Sequence, residues 1–437
     1  MNGNGLTKGL KNSLNAIREI SSTIYTQYVP IIDDDTDISK FAEPILNVPQ
    51  VMNEFITALV NRIVYTAFEN KYFNNPLKVL EGDRIPLGYA GQEIYINPAK
   101  GRQFNVNDFA GLLQKYEADV KVQYMTVNVD LQYPVSVTRA KLKQAFVSWT
   151  ALDTFIANLT NSLYNGAYID SFNLTKGLVS SAYKSGNAII DVIDEPSTEA
   201  TAKSFITKAR QYYLNFALPS TKYNAWYKIG GYGRPITTWT ESDDIVFLIR
   251  NDVLAYIDVN VLASAFHIEE SKLMGRILPV DNFNIYSDEG DLVFDGSKII
   301  GLMADKSWFR IKEQDMYLDE FYNANNRVWN YYLNMTKMFQ YSVFSNAIIF
   351  ATEAPVIPVE SITADKTETT ITVGNTETIG LKIVPATATN VDVSVNNANA
   401  TAELKGNSVS ITGVTAGTSK VTIKGGNISS VINVTVQ

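Results

Sequence analysis

The sequence of 437 residues contains no cysteine and only one histidine, His267. The absence of cysteine excludes disulfide bonds, thiolate metal sites and cysteine nucleophiles. A single histidine also excludes zinc sites that use two histidines, and any Ser-His-Asp triad would have to use His267. Because the chain lacks residues that most enzyme mechanisms need, we expect a protein that is not an enzyme and that has no cofactor or metal site.

Long apolar segments are also missing. Uninterrupted apolar runs reach five residues, as in residues 245–249, whereas a membrane span needs roughly 18. The first residues lack the apolar segment of a secretory signal peptide, so we expect no attachment to a membrane. The formal net charge of −8 argues against a dedicated nucleic-acid-binding protein, which normally carries a basic surface.

Aromatic residues are missing from one part of the chain only. The 24 tyrosines, 20 phenylalanines and 5 tryptophans all lie at or before Phe350, and residues 351–437 contain none. Two prolines, Pro355 and Pro358, follow this break and favour an extended, fairly stiff linker over residues 353–359. The sequence therefore predicts a body at residues 1–352 and a separate tail domain at residues 360–437.

The tail domain is rich in threonine, valine, isoleucine, asparagine and glycine. Six short segments with alternating apolar residues are separated by turn residues, which is typical of a small all-β sandwich. We expect an aliphatic core, because no aromatic ring is available to fill it. The segments are residues 369–373, 379–384, 391–395, 408–412, 420–424 and 431–436.

The body has two strong helical patterns. Apolar residues recur at every fourth position from Val51, which predicts a helix over residues 51–70. A second stripe has a mean spacing of 3.5 and predicts a helix over residues 139–165, with Gly166 as a candidate break and Tyr168, Ile169 and Phe172 as an alternative continuation of the stripe. The stripe contains Leu142, Phe146, Trp149, Leu152, Ile156, Leu159 and Leu163. We predict that Phe146, Trp149, Leu152 and Ile156 form the structural core.

Residues 77–137 are predicted to form a strand-rich, two-stranded segment that extends from the body. Apolar and polar residues alternate from Met125 to Tyr133, which predicts one long strand with one apolar face. The sequence shows no obvious pairing partner for this strand, and an isolated two-stranded segment is rarely stable. We therefore predict that Val127, Val129 and Leu131 contact a neighbouring subunit.

Three other patterns suggest chemistry but have simpler interpretations. Gly231 and Gly233 lack the third glycine of a dinucleotide-binding loop, so we interpret them as a turn. His267 is interpreted as a structural histidine. The acidic residues 33–37 lack the glycine and the distal glutamate of a calcium-binding loop, and we interpret them as a solvated turn.

The body contains eight short segments that form a recognisable series. They are FITALVNRI (55–63), NNPLK (74–78), IPLG (85–88), EIY (93–95), LKQAFVSW (142–149), DVNVLA (258–263), DKSWF (305–309) and WNYY (329–332). Residues 4–32 have a charge of +2 and read as an extended arm, residues 200–325 read as mixed α/β with a helix at 200–216, and the chain returns in an aromatic strand. The order of these elements resembles the Hong Kong 97 fold of phage capsid proteins, and the eight segments resemble the major capsid proteins of φ29-type short-tailed phages.

The tail contains three characteristic segments, IVPATATN (383–390), GVTAG (413–417) and VTI (421–423). In these segments it resembles a bacterial immunoglobulin-like group 2 domain, although Val393 stands where a tryptophan is common. Together the two resemblances imply an α+β fold of the Hong Kong 97 type followed by an all-β immunoglobulin-like sandwich. The implied regions are an N-terminal arm (1–50), an E-loop (77–137), a spine helix (139–186), an A-domain (200–325) and a P-domain return (326–352).

The resemblance implies a major capsid protein that assembles into the icosahedral or elongated shell around double-stranded DNA of a short-tailed phage. The implied partners are copies of itself in hexamers and pentamers, scaffolding and portal proteins, and packaged DNA held by weak, non-specific contact. We expect the protein in the virion after assembly in the host cytoplasm, with the tail domain facing host or environmental surfaces. The alternatives are a surface adhesion or decoration protein and a hydrolase with an appended binding domain, and the sequence shows no catalytic constellation for the latter.

Overall fold

The structure is a computed structural model that describes residues 6–63, 73–88, 90–105, 111, 113–229, 235–257, 276–287 and 289–437. The predictions for His267 and for Gly231 and Gly233 lie outside these described residues. The chain forms two compact units. The first comprises Met1–Ala90, Thr126–Leu174 and Ile311–Phe339, and the second comprises Gly91–Met125, Thr175–Arg310 and Gln340–Gln437.

The N-terminal region is helical, so the prediction of an extended arm is wrong. Helices α1 (Lys8–Ile20), α2 (Thr23–Tyr28), α3 (Ile38–Asn47) and α4 (Pro49–Ile63) follow one another in the first unit. Leu10, Leu14 and Ile17 lie on one face of α1 and are buried, because their spacing matches the helical period. Helix α4 confirms the start of the helix predicted over residues 51–70, and the rest of that prediction lies outside the described residues.

The helix predicted over residues 139–165 is in fact two helices. Helix α5 covers Arg139–Ala145, and helix α6 covers Trp149–Ser185, a length of 37 residues. Helix α6 begins after Ser148, whose hydroxyl accepts a hydrogen bond from Ala151 N (3.1 Å) and so acts as an N-cap. Of the two alternatives at Gly166, the break is wrong and the continuation is confirmed, because Gly166 lies inside α6. A Cβ at Gly166 would lie 3.0 Å from the Tyr133 ring, so this glycine permits a close contact.

A three-stranded sheet covers the helices of the first unit. Its order is β10 (Phe309–Asn323), β11 (Val328–Tyr341) and β3 (Val129–Thr138), and β3 is antiparallel to β11. The strand predicted from Met125 to Tyr133 is interrupted, because β2 (Val120–Thr126) ends before β3 begins. The expectation that this strand has no pairing partner is wrong for its second part, since β3 pairs with β11. The hairpin β10–β11 also joins the end of the predicted A-domain region (200–325) to the start of the predicted return (326–352).

The second unit contains a five-stranded sheet with the order β4–β12–β9–β5–β6. Strand β12 is parallel to β4 and antiparallel to β9, while β5 is antiparallel to β9 and parallel to β6. Helix α7 (Glu199–Phe216) packs on this sheet through Phe205, which contacts Phe247 and Phe350. The helix predicted at residues 200–216 and the strand predicted at residues 245–249 are confirmed. The strands are β4 (Ile189–Val192), β5 (Ile245–Arg250), β6 (Arg276–Val280), β9 (Ile299–Asp305) and β12 (Ala347–Ala351).

The remaining elements of the second unit are short. Helix α8 covers Trp226–Ile229 and helix α9 covers Asn251–Ile257. Strands β7 (Ile285–Tyr286) and β8 (Leu292–Phe294) form a small two-stranded sheet. Strand β1 (Ala90–Ile96) pairs with β2 in another two-stranded sheet, which we call the ribbon.

The tail forms two four-stranded sheets, so the predicted β-sandwich is confirmed. One sheet has the order β13–β15–β18–β17 and the other β14–β20–β19–β16. Their facing side chains form an entirely aliphatic core, which includes Leu381, Val409, Ile411, Val421 and Ile432. The strands are β13 (Ser361–Ala364), β14 (Glu368–Ile371), β15 (Thr376–Val384), β16 (Val391–Val395), β17 (Ala400–Lys405), β18 (Ser408–Gly413), β19 (Gly417–Gly425) and β20 (Ile428–Val436).

Candidate assembly interface

The ribbon exposes an apolar face to solvent. Five large apolar side chains on alternating positions of its two strands are exposed, up to 73% for Tyr124. We call this surface the apolar ribbon face, and it consists of Ile94, Ile96, Val120, Val122 and Tyr124. Exposed apolar patches on soluble proteins commonly mark contact sites with other macromolecules.

The opposite face of the ribbon packs inward and includes polar side chains that bond to its own subunit. Glu93 forms an ion pair with Arg310, and the Ser342 hydroxyl donates a hydrogen bond to Glu93 Oε1 (2.9 Å). On the other strand, Gln123 Oε1 accepts a hydrogen bond from Val343 N (3.0 Å). Tyr95 and the buried Met125 also lie on this inward face. The ribbon therefore turns a mixed polar and apolar face toward its own subunit and an apolar face toward solvent.

The inward contacts of the ribbon are incompletely satisfied. Within the described part of the chain, the buried Glu93 Oε2 and Arg310 Nε atoms have no hydrogen-bond partner. A buried polar atom without a partner costs free energy, which offsets part of the stabilisation from the other inward contacts. The apolar ribbon face buries little surface in the isolated subunit, and this exposure favours a second surface that covers it.

The residues that were predicted as the subunit interface lie elsewhere. Val129 and Leu131 are half-buried on β3 and pack against the core of the first unit. They lie opposite Lys337 and Met335 of β11, respectively. Val127 is half-buried between β2 and β3, and contact of all three with a neighbouring subunit stays a prediction.

The ribbon residues that sequence reasoning missed do leave a signal. The segment VKVQY (120–124) alternates in the same way as residues 125–133, and EIYI (93–96) does so on the partner strand. Alternation reveals that one face of a strand is apolar. It does not reveal whether that face meets the strand's own subunit or another one.

The four residues predicted as structural core are all buried in the first unit. Phe146 lies in the short connection between α5 and α6, and Trp149, Leu152 and Ile156 follow on the first turns of α6. Their cluster includes Phe41 of α3, whose ring lies 5.5 Å from that of Trp149. The core therefore joins the N-terminal helices to the long helix.

The acidic residues 33–37 serve as local hydrogen-bond acceptors. Asp37 Oδ1 accepts hydrogen bonds from the Ser39 hydroxyl (2.6 Å) and from Ser39 N (3.0 Å), and these bonds lower the pKa of Asp37. Asp37 thus acts as the N-cap of α3. Asp34 forms an ion pair with Lys11 of α1 (2.6 Å).

The described residues contain no group of three or more His, Asp or Glu side chains that could hold a metal ion. No helix among them is long and apolar enough to cross a membrane.

Comparison with known proteins decides the family. The model of the Phi29-like phage major capsid protein family matches residues 14–351, which is most of the chain. The chain belongs to this family. The match ends at the last residue of β12, so the β-sandwich lies outside it.

Individual relatives agree with the family match. The major capsid protein of Bacillus phage PZA is 29% identical over 339 residues, which are 77% of this chain and 72% of the relative. That of Bacillus phage B103 is 27% identical over 343 residues, which are 78% of this chain and 72% of the relative. The protein is therefore a structural component of a phage shell, and shell formation implies contact between copies of the chain.

A solved capsid shares the fold. A chain from the capsid structure of Staphylococcus phage Andhra matches with a TM-score of 0.53 and 12% sequence identity. The match covers 66% of this chain and 87% of that chain. At this identity the likeness concerns the fold alone.

Proposed function

We propose that the chain assembles into the closed shell of a short-tailed phage by seating the apolar ribbon face of each subunit on a neighbouring copy. The shell is icosahedral or elongated, consists of hexamers and pentamers, and encloses double-stranded DNA. Scaffolding and portal proteins take part in its formation. Assembly takes place in the host cytoplasm, and the protein remains in the virion.

The exposure of the apolar ribbon face is the observation that carries this proposal. A sheet with one buried face normally turns its apolar side chains toward its own core. Here Ile94 and Tyr124 point away from the subunit while Glu93 and Gln123 point inward. Because a shell protein must meet copies of itself, a second copy of this chain is the occupant that we assign to the apolar ribbon face.

The regions of the Hong Kong 97 fold can be proposed on these elements. The arm (1–50) includes α1 to α3, the E-loop (77–137) contains the ribbon, and the spine helix (139–186) contains α6. The A-domain (200–325) contains most of the five-stranded sheet, and the P-domain return (326–352) contains β11 and β12. The order of these elements and the likeness to a phage capsid chain support the assignment.

For the tail we propose an immunoglobulin-like group 2 domain that faces host or environmental surfaces. Its two four-stranded sheets and its sequence resemblance support the domain type. A role in surface adhesion or decoration would come from this domain, since the family match covers only residues 14–351.

We expect only weak contact between the N-terminal arm and packaged DNA. Lys11 pairs with Asp34, and Arg18 donates hydrogen bonds to the carbonyl oxygens of Val29 (2.8 Å) and Thr26 (2.9 Å). These cations are therefore largely engaged within the subunit. Any remaining attraction for phosphate should weaken strongly as salt is added.

A pair of matched double variants tests the ribbon. Ile94→Asp with Tyr124→Asp places two charges on the apolar ribbon face, whereas Ile94→Val with Tyr124→Phe preserves its apolar character. We expect the aspartate variant to remain a folded, unassembled subunit and the conservative variant to form shells. Sedimentation and negative-stain microscopy measure both, and circular dichroism confirms folding. Normal shells from the aspartate variant would contradict the proposal.

A further inference from the structure

The second half of the linker belongs to the β-sandwich. Ile357 is buried with 5% exposure, whereas the adjacent Val356 is 73% exposed. Thr389 N donates a hydrogen bond to the Ile357 carbonyl oxygen (2.9 Å). Ile357 N in turn donates a hydrogen bond to the side-chain Oγ1 of Thr389 (2.8 Å). Val359 packs against the aliphatic core of the sandwich. The chain is therefore anchored three residues before the sandwich was predicted to begin.

The buried linker residue lies against the end of the long helix α6. Gly186 follows the last residue of α6 and has a φ of +68°, the left-handed conformation that often ends a helix. A Cβ at Gly186 would overlap the Cδ1 atom of Ile357 and lie 3.0 Å from the Cβ atom of Thr387. Glycine is thus required here both by the backbone and by the approach of the tail.

The tail also completes the hydrogen bonding of the helix end. The last carbonyl groups of a helix lack partners within the helix. The Thr387 hydroxyl donates a hydrogen bond to the Ser185 carbonyl (2.6 Å). At the start of the linker, the Tyr183 hydroxyl donates to the Glu353 carbonyl (2.7 Å). The last turn of α6 is therefore bonded both to the start of the linker and to the sandwich.

We propose that Gly186, Ile357 and Thr387 form a rigid joint that holds the β-sandwich in one orientation on the end of α6. Every copy of the subunit then presents the sandwich in the same way. A flexible tether would instead expose its linker and leave the helix end to solvent. The attachment of the sandwich at this joint is independent of how the ribbon contacts a neighbouring copy.

Limited proteolysis of the full-length chain tests the joint with two adjacent substitutions. Ile357→Asp introduces a charge at the buried position, and Val356→Asp introduces the same charge at the exposed one. We expect cleavage between residues 353 and 359 to become about tenfold faster in Ile357→Asp, because cleavage follows the population of the open state. Val356→Asp should be cleaved like the parent chain, and mass spectrometry locates the cuts.

A milder variant protects the test against misfolding. Thr387→Val removes only the hydroxyl that bonds to Ser185, so it should fold and should also be cleaved faster than the parent chain. The proposal is overturned if Ile357→Asp is cleaved no faster than the parent chain. It is also overturned if Thr387→Val is cleaved no faster than the parent chain. Equal acceleration by Val356→Asp would also overturn it, because a rigid joint predicts different effects at adjacent positions.

Discussion

Trp149 donates a hydrogen bond from its indole Nε1 to the backbone carbonyl of Thr36, at 3.2 Å. This bond joins the first residue of α6 to the loop before α3, although the two residues are 113 positions apart in sequence. The Trp149 ring also packs on Phe41 and is 2% exposed. The same side chain thus satisfies a loop carbonyl and fills the core of the first unit.

We predict that Trp149→Ala strongly destabilises the subunit. Truncation of a buried aromatic residue typically lowers the free energy of unfolding by about 3–5 kcal/mol, and the carbonyl of Thr36 loses its donor as well. Lys143→Ala on the exposed side of α5 should change stability by less than about 0.5 kcal/mol. Thermal unfolding of both variants measures the difference, and an unchanged melting temperature for Trp149→Ala would contradict the assigned core.

Aspartate substitutions on neighbouring strands should separate folding from assembly. Val129→Asp places a charge against the subunit's own core and should lower the free energy of unfolding by about 2–3 kcal/mol. Val122→Asp lies on the apolar ribbon face and should leave the subunit folded but unable to assemble. Denaturant unfolding and sedimentation report the two effects. The placement of β3 would be wrong if Val129→Asp were as stable as Val122→Asp.

The buried Lys337 of β11 should depend on its carboxylate partners. Its side chain is 5% exposed, and its Nζ atom lies 3.3 Å from Glu81 and 3.8 Å from Glu313. Removal of one member of a buried ion pair typically costs about 3–5 kcal/mol, because the other charge is left without a partner. We predict that Lys337→Met is destabilised by this amount and that adding Glu81→Gln restores much of the stability. Denaturant unfolding measures both, and a neutral effect of Lys337→Met alone would show that the pair is not coupled.

Alkaline pH should weaken the body through Tyr331. Burial, assisted by the charge of Glu320, raises the pKa of Tyr331 well above its ordinary value. The neutral phenol is favoured in the folded state, so its stabilising effect is complete below the unfolded pKa of about 10 and is lost as the pH rises above it. Among the described residues its hydroxyl also lacks a hydrogen-bond partner.

Tyr331→Phe should therefore be at least as stable as the parent chain at neutral pH and should lose less stability above pH ~10. Tyr286→Phe is the control, because Tyr286 is exposed. Denaturant unfolding at pH values on both sides of the unfolded pKa tests the prediction. The same alkaline decline in Tyr331→Phe and in the parent chain would contradict it.

The sequence alone indicated features that depend on local pattern. The loss of aromatic residues after Phe350 marked the sandwich, and the stripe through Trp149 marked the buried face of α6. The sequence left Gly166 open between a helix break and a continuation, because its role depends on the Tyr133 ring, which packs on it from a distant strand. Ser148 gave a usable signal for the start of α6, since serine is a favoured N-cap.

The ribbon could not be placed from the sequence for a different reason. Alternation in residues 120–124 shows that the strand has two unlike faces, but it does not show which face points toward the strand's own subunit. The inward direction is set by Arg310 and Ser342, which meet Glu93 across more than 200 positions of sequence. Contacts over such separations follow from the fold and not from local propensity.

Thiol labelling of shells carrying a single cysteine tests whether the ribbon is seated on a neighbouring copy, because the chain has no cysteine of its own. Ile94→Cys reports on the apolar ribbon face, and Val373→Cys on the exposed surface of the sandwich serves as the control. If the ribbon is seated on a neighbouring copy, Ile94→Cys should react readily in unassembled subunits and very slowly in shells, while Val373→Cys reacts readily in both. Equal labelling of Ile94→Cys in subunits and in intact shells would contradict assembly through the ribbon.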